Sequence, residues 1–270
     1  MGIHQKLHTK LVQKLILTPS LQQAIKLLPM STLGQVALRG NAQAYEYLLN
    51  RCRKHPLGEL QWLASALKTE LDKEIPSLLL RVTDAKSGAY QEYLHRRYRN
   101  VRALAGPAEP ERTARAEVRL VEWDPQTEIK IAAGILFQQS HASWDAAMAK
   151  AAALSPAQLR ELFGAYLPNR QGRWYKVGRA FENAFLRFEI VMDIGAYRDL
   201  HRHRMMTQER QTFSTHHGFA VPEELAQAGL AERFTAAMTQ AESLFLKLEA
   251  VDRDLAQYAV PLAYRLRFYQ

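Results

Sequence analysis

Residues 185–214 read FLRFEIVMDIGAYRDLHRHRMMTQERQTFS. Phe185 to Met192 first alternates apolar and polar side chains and then turns wholly apolar, which predicts a strand. Ile194-Gly195-Ala196 turns the chain into a helix of about ten residues. Arg198, His201, Arg202, His203, Arg204, Gln208, Glu209 and Arg210 then crowd into one short stretch. Arg202-His203-Arg204 is its centre. An arginine offers a planar, permanently charged fork, and a histidine can donate, accept or change charge near neutral pH. The same cluster also reads as a basic helix end that pairs with Asp199, Glu209 or a neighbouring chain. A metal is not expected. His201 and His203 point apart on a helix, and no carboxylate or cysteine set completes a shell with His216 and His217. Glu182 and Glu189 read as solvated or ion-paired structural acids, with a catalytic carboxylate pair as the alternative.

Outward from this stretch the pattern stays mixed. Glu117 to Trp123 alternates and reads as a strand. Asp124-Pro125 ends it and can cap a helix through Phe137. Residues 141–167 are alanine-rich and helical, with a fresh start at Ser155-Pro156. Arg170 to Arg179 is basic and irregular. After Thr207 the chain is extended or irregular, and His216-His217-Gly218 is a loop. Pro222-Glu223-Glu224 opens a helix with its acids in the first turn, as the helix dipole prefers. Leu230 to Leu248 is a long amphipathic helix. The end, from Leu255, holds Pro261 and a basic-aromatic run, Tyr264 to Tyr269.

With 270 residues, 47% hydrophobic and 23% charged, the chain can build a sizeable core. A net charge of +9 favours polyanionic partners such as nucleotides, flavin phosphates or nucleic acid. One cysteine, Cys52, excludes a disulfide framework within the chain and fits a reducing cytoplasm. No run approaches the ~18 apolar residues of a membrane span. The N-terminus lacks the apolar core of a signal peptide. A cytoplasmic location is expected. There is no internal repeat and no glycine-rich phosphate loop.

The N-terminal residues 1–33 carry Leu7, Leu11 and Leu15, then Leu21, Ile25 and Leu28, at helical spacing. Two short amphipathic helices follow, parted at Thr18-Pro19. Lys6, Lys10, Lys14 and Lys26 meet no acid, so a basic arm docked on its own domain is one reading. Residues 14–28, KLILTPSLQQAIKLL, with Ser31-Thr32-Leu33, resemble the activator-contacting N-terminus of sigma-54 class sigma factors. That resemblance implies contact with RNA polymerase or its activator through residues 1–33. Pro29 stands where that family usually has glutamine. Nothing downstream resembles a promoter-reading region, so a fused leader is expected, and its removal is expected to leave the rest of the chain's binding intact. Gly34 to Asn41 reads as a junction. Residues 42–74 are helical with a break at His55-Pro56-Leu57-Gly58, and Ile75-Pro76 stops the second helix. Tyr90 to Asn100 mixes tyrosines and arginines, either an amphipathic helix with a solvated basic face or a nucleic-acid surface. Gly106 to Pro110 is a linker.

Arg202-His203-Arg204, seven residues and then Thr212 resemble the signature of the flavin-dependent thymidylate synthases, in which a serine takes the last place. Arg179 to Ala184, the strand after it, Ala196 to Leu200, Val118 to Phe137, Val221 to Leu225 and Ala259 to Leu262 extend the resemblance over about 115–270. It implies an α+β fold, helix-rich, with a small antiparallel or mixed sheet and the motif on a strand-helix unit. It divides the chain into a 1–33 arm, a 34–114 helical region and linker, and a 115–270 synthase-like domain. The implied reaction is reductive methylation of dUMP to dTMP with methylenetetrahydrofolate and NADPH, FAD carrying the hydride. The implied assembly is a homotetramer with sites between subunits. FAD contacts fall to Arg202, His203 and Arg204, and substrate contacts to Arg210 and Thr212. No enzyme nucleophile is expected, and Cys52 lies outside the resemblance.

Departures from that family leave a second reading open. Asn183 stands where it has histidine, Arg210 where it has glutamate, and Ser214 where it has an arginine for substrate phosphate. The chain also ends where a basic nucleotide-binding segment is expected to begin. A degenerate, non-catalytic copy that binds flavin or nucleotide weakly or supports a partner is therefore the alternative. A transcription-related protein acting through its leader is the third.

Overall fold

The computed structural model describes residues 25–105, 115–172 and 174–270. They form two compact units. The first takes the described residues up to Arg115, Asp193–Leu200 and Thr212–Leu266, and the second takes Ala116–Met192, His201–Gln211 and Arg267–Gln270.

The first unit begins with helices α1 (Ala42–Cys52) and α2 (Gly58–Glu74), a 3-10 segment (Pro76–Val82) and α3 (Ala85–Ala105). Asn41 caps α1 through its side chain, which accepts from the Ala44 N–H. Leu49, Cys52, Ala64, Leu79 and Val82 form a buried cluster, with Leu60, Leu67 and Leu71 packed around it. The predicted break at His55–Gly58 is there. Cys52 is one more small side chain of this core, and burial pushes its thiol up. Gln91 is the one buried residue of α3, and its amide donates to Asn50 and to the Val82 carbonyl.

The rest of the first unit holds α7 (Ile194–Leu200), α8 (Glu223–Gln227), α9 (Ala231–Glu249) and α10 (Arg253–Ala256). Phe234, Met238 and Phe245 give α9 its buried face. Tyr264 is 1% exposed and donates its hydroxyl to the Met238 carbonyl at 2.7 Å. Phe219 packs edge-on against Phe234 and Tyr264.

In the second unit, β1 (Glu117–Trp123) pairs antiparallel with β2 (Leu186–Asp193). The bonds Phe188 N–H to Gln270 and Gln270 N–H to Phe188 link β2 to β4 (Arg265–Tyr269). β3 (Glu209–Arg210) pairs antiparallel with β4, so the order is β1-β2-β4-β3. Helices α4 (Thr127–Gln138) and α5 (Trp144–Ala152) pack through Ala132, Ala133, Ala147 and Ala151, and α6 (Pro156–Tyr166) packs against them through Leu159, Leu162 and Phe163. Ser155 and Gln158 close a capping box on α6, so the predicted break there is a helix start. The α+β expectation holds: the chain is helix-rich around a small antiparallel sheet.

Three expectations change. The helix after Ile194 has seven residues and stops at Leu200, so the Arg-His-Arg motif lies in turns beyond it. The predicted helix over Ile25 and Leu28 does not run through the described part. Lys26 to Thr32 instead lies along Tyr258–Ala263, with Pro29 bridged to Pro261. Proline lacks the N–H that a helix interior requires. The basic-aromatic end, unassigned from sequence, is a strand. The predicted helices over residues 1–24 and the linker at 106–110 lie outside the described residues. Among the described residues no helix is long and apolar enough to cross a membrane.

Candidate functional site

Asp193 ends β2 and starts α7. Its Oδ1 accepts from the Ala196 N–H at 2.9 Å, capping the helix. Ile194 and Tyr197 are buried and anchor the same short helix. Its backbone is tied further, Ile194 N–H to the Tyr264 carbonyl at 3.0 Å and Gly195 N–H to the Leu262 carbonyl at 3.1 Å. Two residues past its end the chain reaches Arg202.

Arg202, His203 and Arg204 are all exposed. The backbone turns sharply there, with Arg204 N–H donating to the Arg202 carbonyl at 3.0 Å and Met206 N–H to the His203 carbonyl at 3.3 Å. Met205 beside them is 99% exposed. Among the described residues none pairs with the side chain of His203 or Arg204. Solvent-exposed guanidinium and imidazole groups on a turn suit an anionic, acceptor-rich ligand.

Further along, Gln208 donates to the Gln270 side chain at 2.9 Å, and Arg210 pairs with Phe268 across β3 and β4. The Arg210 guanidinium donates to the Gln211 carbonyl at 2.9 Å and stays exposed. Thr212 is exposed, in the first unit. After it, buried Arg265 donates to the His217 carbonyl at 3.1 Å, and half-buried His216 pairs with Glu249 at 3.1 Å. Burial pulls the Arg265 guanidinium below its ordinary value, with Asp193 opposing.

The other singled-out residues have structural partners. Asn183 donates to the Ala180 carbonyl at 2.9 Å and abuts Gly134, where a Cβ would meet its amide at 2.9 Å. Glu189 pairs with Arg119 and Glu182 with Arg179. No group of three His, Cys, Asp or Glu among the described residues could hold a metal ion. A recess of 370 Å³ lined by Lys54, His95, Tyr98, Arg99, Arg102 and Asp254 is a charged seam, with Arg102–Asp254 at 3.0 Å and Arg99–Glu92 at 2.8 Å. Sequence reasoning missed Asp193. An Asp immediately before a predicted helix was the available signal.

Residues 119–270 match the family described as thymidylate synthase complementing protein. The chain belongs to that family. Residues 6–34 match the sigma-54 factor activator interacting domain, so both sequence resemblances stand. Among curated relatives of this thymidylate synthase complementing chain, a UPF0159 protein of Chlamydia pneumoniae is 34% identical over 90% of the chain and 46% of its own length. A UPF0159 protein of Thermoplasma acidophilum is 31% identical over 97% of the chain and 52% of its own length. The chain therefore spans about half the length of the curated relatives it matches. Among solved structures, a UMP/dUMP methylase PolB from Streptomyces cacaoi bound with 5-Br dUMP is 16% identical, with a TM-score of 0.43, over 59% of this chain and 73% of that one.

Proposed function

We propose that the chain is the flavin-using thymidylate synthase type, converting dUMP to dTMP with methylenetetrahydrofolate and NADPH. The observation that carries this reading is the solvent-exposed Arg202-His203-Arg204 turn inside the stretch that matches the family. Arg202 and Arg204 bind the flavin diphosphate, and His203 hydrogen-bonds the cofactor. FAD supplies the hydride chemistry when bound, and the chain supplies binding and orientation. Arg210 and Thr212 serve the nucleotide, Arg210 as a charge-assisted donor to phosphate and Thr212 through its hydroxyl. The same reading keeps a 1–33 arm, a 34–114 helical region and a 115–270 synthase-like domain. It also makes the protein a homotetramer. Strand β1 supports assembly, since every residue on it is exposed, including Val118 at 69% and Trp123 at 58%.

A second reading, a non-catalytic copy that still binds flavin, is favoured by Ser214 and Asn183. Ser214 carries no positive charge, and Asn183 is bonded to its own 3-10 turn. Two measurements on purified protein separate the readings. A visible flavin absorption band, or FAD taken up on titration, is expected under both. Tritium release from 5-labelled dUMP in the presence of methylenetetrahydrofolate and NADPH is expected only under the first. Protein that carries no FAD and takes none up would sink both.

A further inference from the structure

We infer that Lys26 is a positioning residue for the flavin-contact segment, acting through Asp193. The inference rests on the reading of Arg202-His203-Arg204 as that segment. Residues 26–32 fall inside the stretch that matches a sigma-factor domain, yet their backbone is bonded into the synthase-like part. Met30 N–H donates to the Val260 carbonyl at 3.1 Å, and Ser31 N–H to the Tyr258 carbonyl at 3.1 Å. In return Leu262 N–H donates to the Leu28 carbonyl at 3.2 Å, and Ala263 N–H to the Lys26 carbonyl at 2.9 Å. The strap thus lies on the very loop whose Leu262 and Tyr264 carbonyls hold the first two N–H groups of α7.

The Lys26 side chain leaves this strap and reaches Asp193 at 3.4 Å. Both side chains are about one-quarter to one-third exposed, at 30% and 27%, so solvent screens the pair only in part. The Asp193 carboxylate therefore works with both oxygens. Oδ1 caps α7 and Oδ2 meets the ammonium. Gly195 keeps the site open, since a Cβ there would sit 3.0 Å from Asp193 Oδ1 and 3.9 Å from the Lys26 Cε. Without Lys26 the carboxylate can rotate off the cap, and α7 loses the side-chain tie at its N-terminus, keeping the two backbone bonds to Tyr264 and Leu262. Leu200, at the other end of that helix, is two residues before Arg202.

The test compares wild type, Lys26→Ala, Lys26→Arg and Asp193→Asn. Hydrogen exchange of the peptide spanning 194–204 should quicken about five- to tenfold in Lys26→Ala and recover in Lys26→Arg, which keeps the charge. Global thermal midpoints should stay level. FAD titration should show binding about five- to tenfold weaker in Lys26→Ala and recovery in Lys26→Arg. Asp193→Asn should follow Lys26→Ala. Exchange and affinity unchanged in Lys26→Ala would overturn the inference, as would a parallel fall of the global midpoint without rescue by Lys26→Arg. If wild type binds no FAD, the functional reading fails, while the exchange arm still decides the role of Lys26.

Discussion

Residues 26–32 and residues 201–206 are two short stretches outside the helices, and they are bonded in opposite ways. The first looks foreign by sequence and is tied down by four backbone hydrogen bonds and an ion pair. The second is the centre of the functional reading and carries two local backbone turns, with its side chains exposed. Backbone groups demand partners wherever they are shielded from water. Ligand-binding side chains must keep their donors available until the ligand arrives. The strap has spent its backbone hydrogen bonds on the fold, and the motif presents exposed side chains.

The largest test removes the two exposed guanidinium groups. Arg202→Ala with Arg204→Ala should weaken FAD binding by about a hundredfold or more, since each charge-assisted pair is worth roughly 1.5–3 kcal/mol. Titration by flavin fluorescence measures it, and an unaltered far-ultraviolet circular dichroism spectrum shows the fold is kept. Unchanged affinity would return these arginines to a surface-charge role.

A core substitution distant from both stretches comes next. Leu49→Ala, at a fully buried site in the α1 cluster, should lower stability by about 2–5 kcal/mol in chemical denaturation. FAD affinity measured well below the transition should not change, which would separate the helical region from the site.

Prolines set the two stretches directly against each other. Met30→Pro deletes the N–H bonded to Val260 and should destabilise by about 1–3 kcal/mol. Met206→Pro deletes the N–H bonded to His203, in an exposed turn, and should change stability by less than about 1 kcal/mol. Equal effects would erase the contrast.

The smallest expected effect is a pH dependence far from either stretch. His55 and His95 stack edge-on at 5.7 Å, and burial pulls both below their ordinary value of 6.5. Their mutual repulsion and Arg99 add to this, and Asp254 and Glu92 oppose it. A histidine with a lowered folded value binds fewer protons folded than unfolded. Its stabilisation is present above pH 6.5 and is lost as pH falls through the lowered values. Urea midpoints should drop between pH 7.5 and 5.5 by more in wild type than in His55→Asn with His95→Gln, at about pH steps of one.

Much of the fold was legible because local patterns suffice for it. The alternation of Glu117–Trp123 and Phe185–Met192 marked two strands, and Ser155-Pro156 marked a helix start. Helix α7 came out shorter than its periodicity suggested, because a basic, polar run offers little apolar surface to bury after Leu200. The strand at Arg265–Tyr269 was hidden by its charges. Arg265 is buried, and its guanidinium donates to the His217 carbonyl, 48 residues away in sequence. Asn183, Arg210 and Ser214 were visible as departures, but only the structure gives Asn183 its bond to Ala180.

The amino-acid sequence by itself determined the family, the α+β class and the place of Arg202-His203-Arg204 in the chain, since these rest on residue order and short-range periodicity. Tertiary structure alone decided that the motif lies exposed in turns and that the strap belongs to the fold. Lys26 and Asp193 lie 167 residues apart, and Met30 is still more remote from Val260. No local pattern encodes such pairings. They form because the loop at 258–263 has backbone donors and acceptors that its own neighbours cannot satisfy, and the strap supplies them.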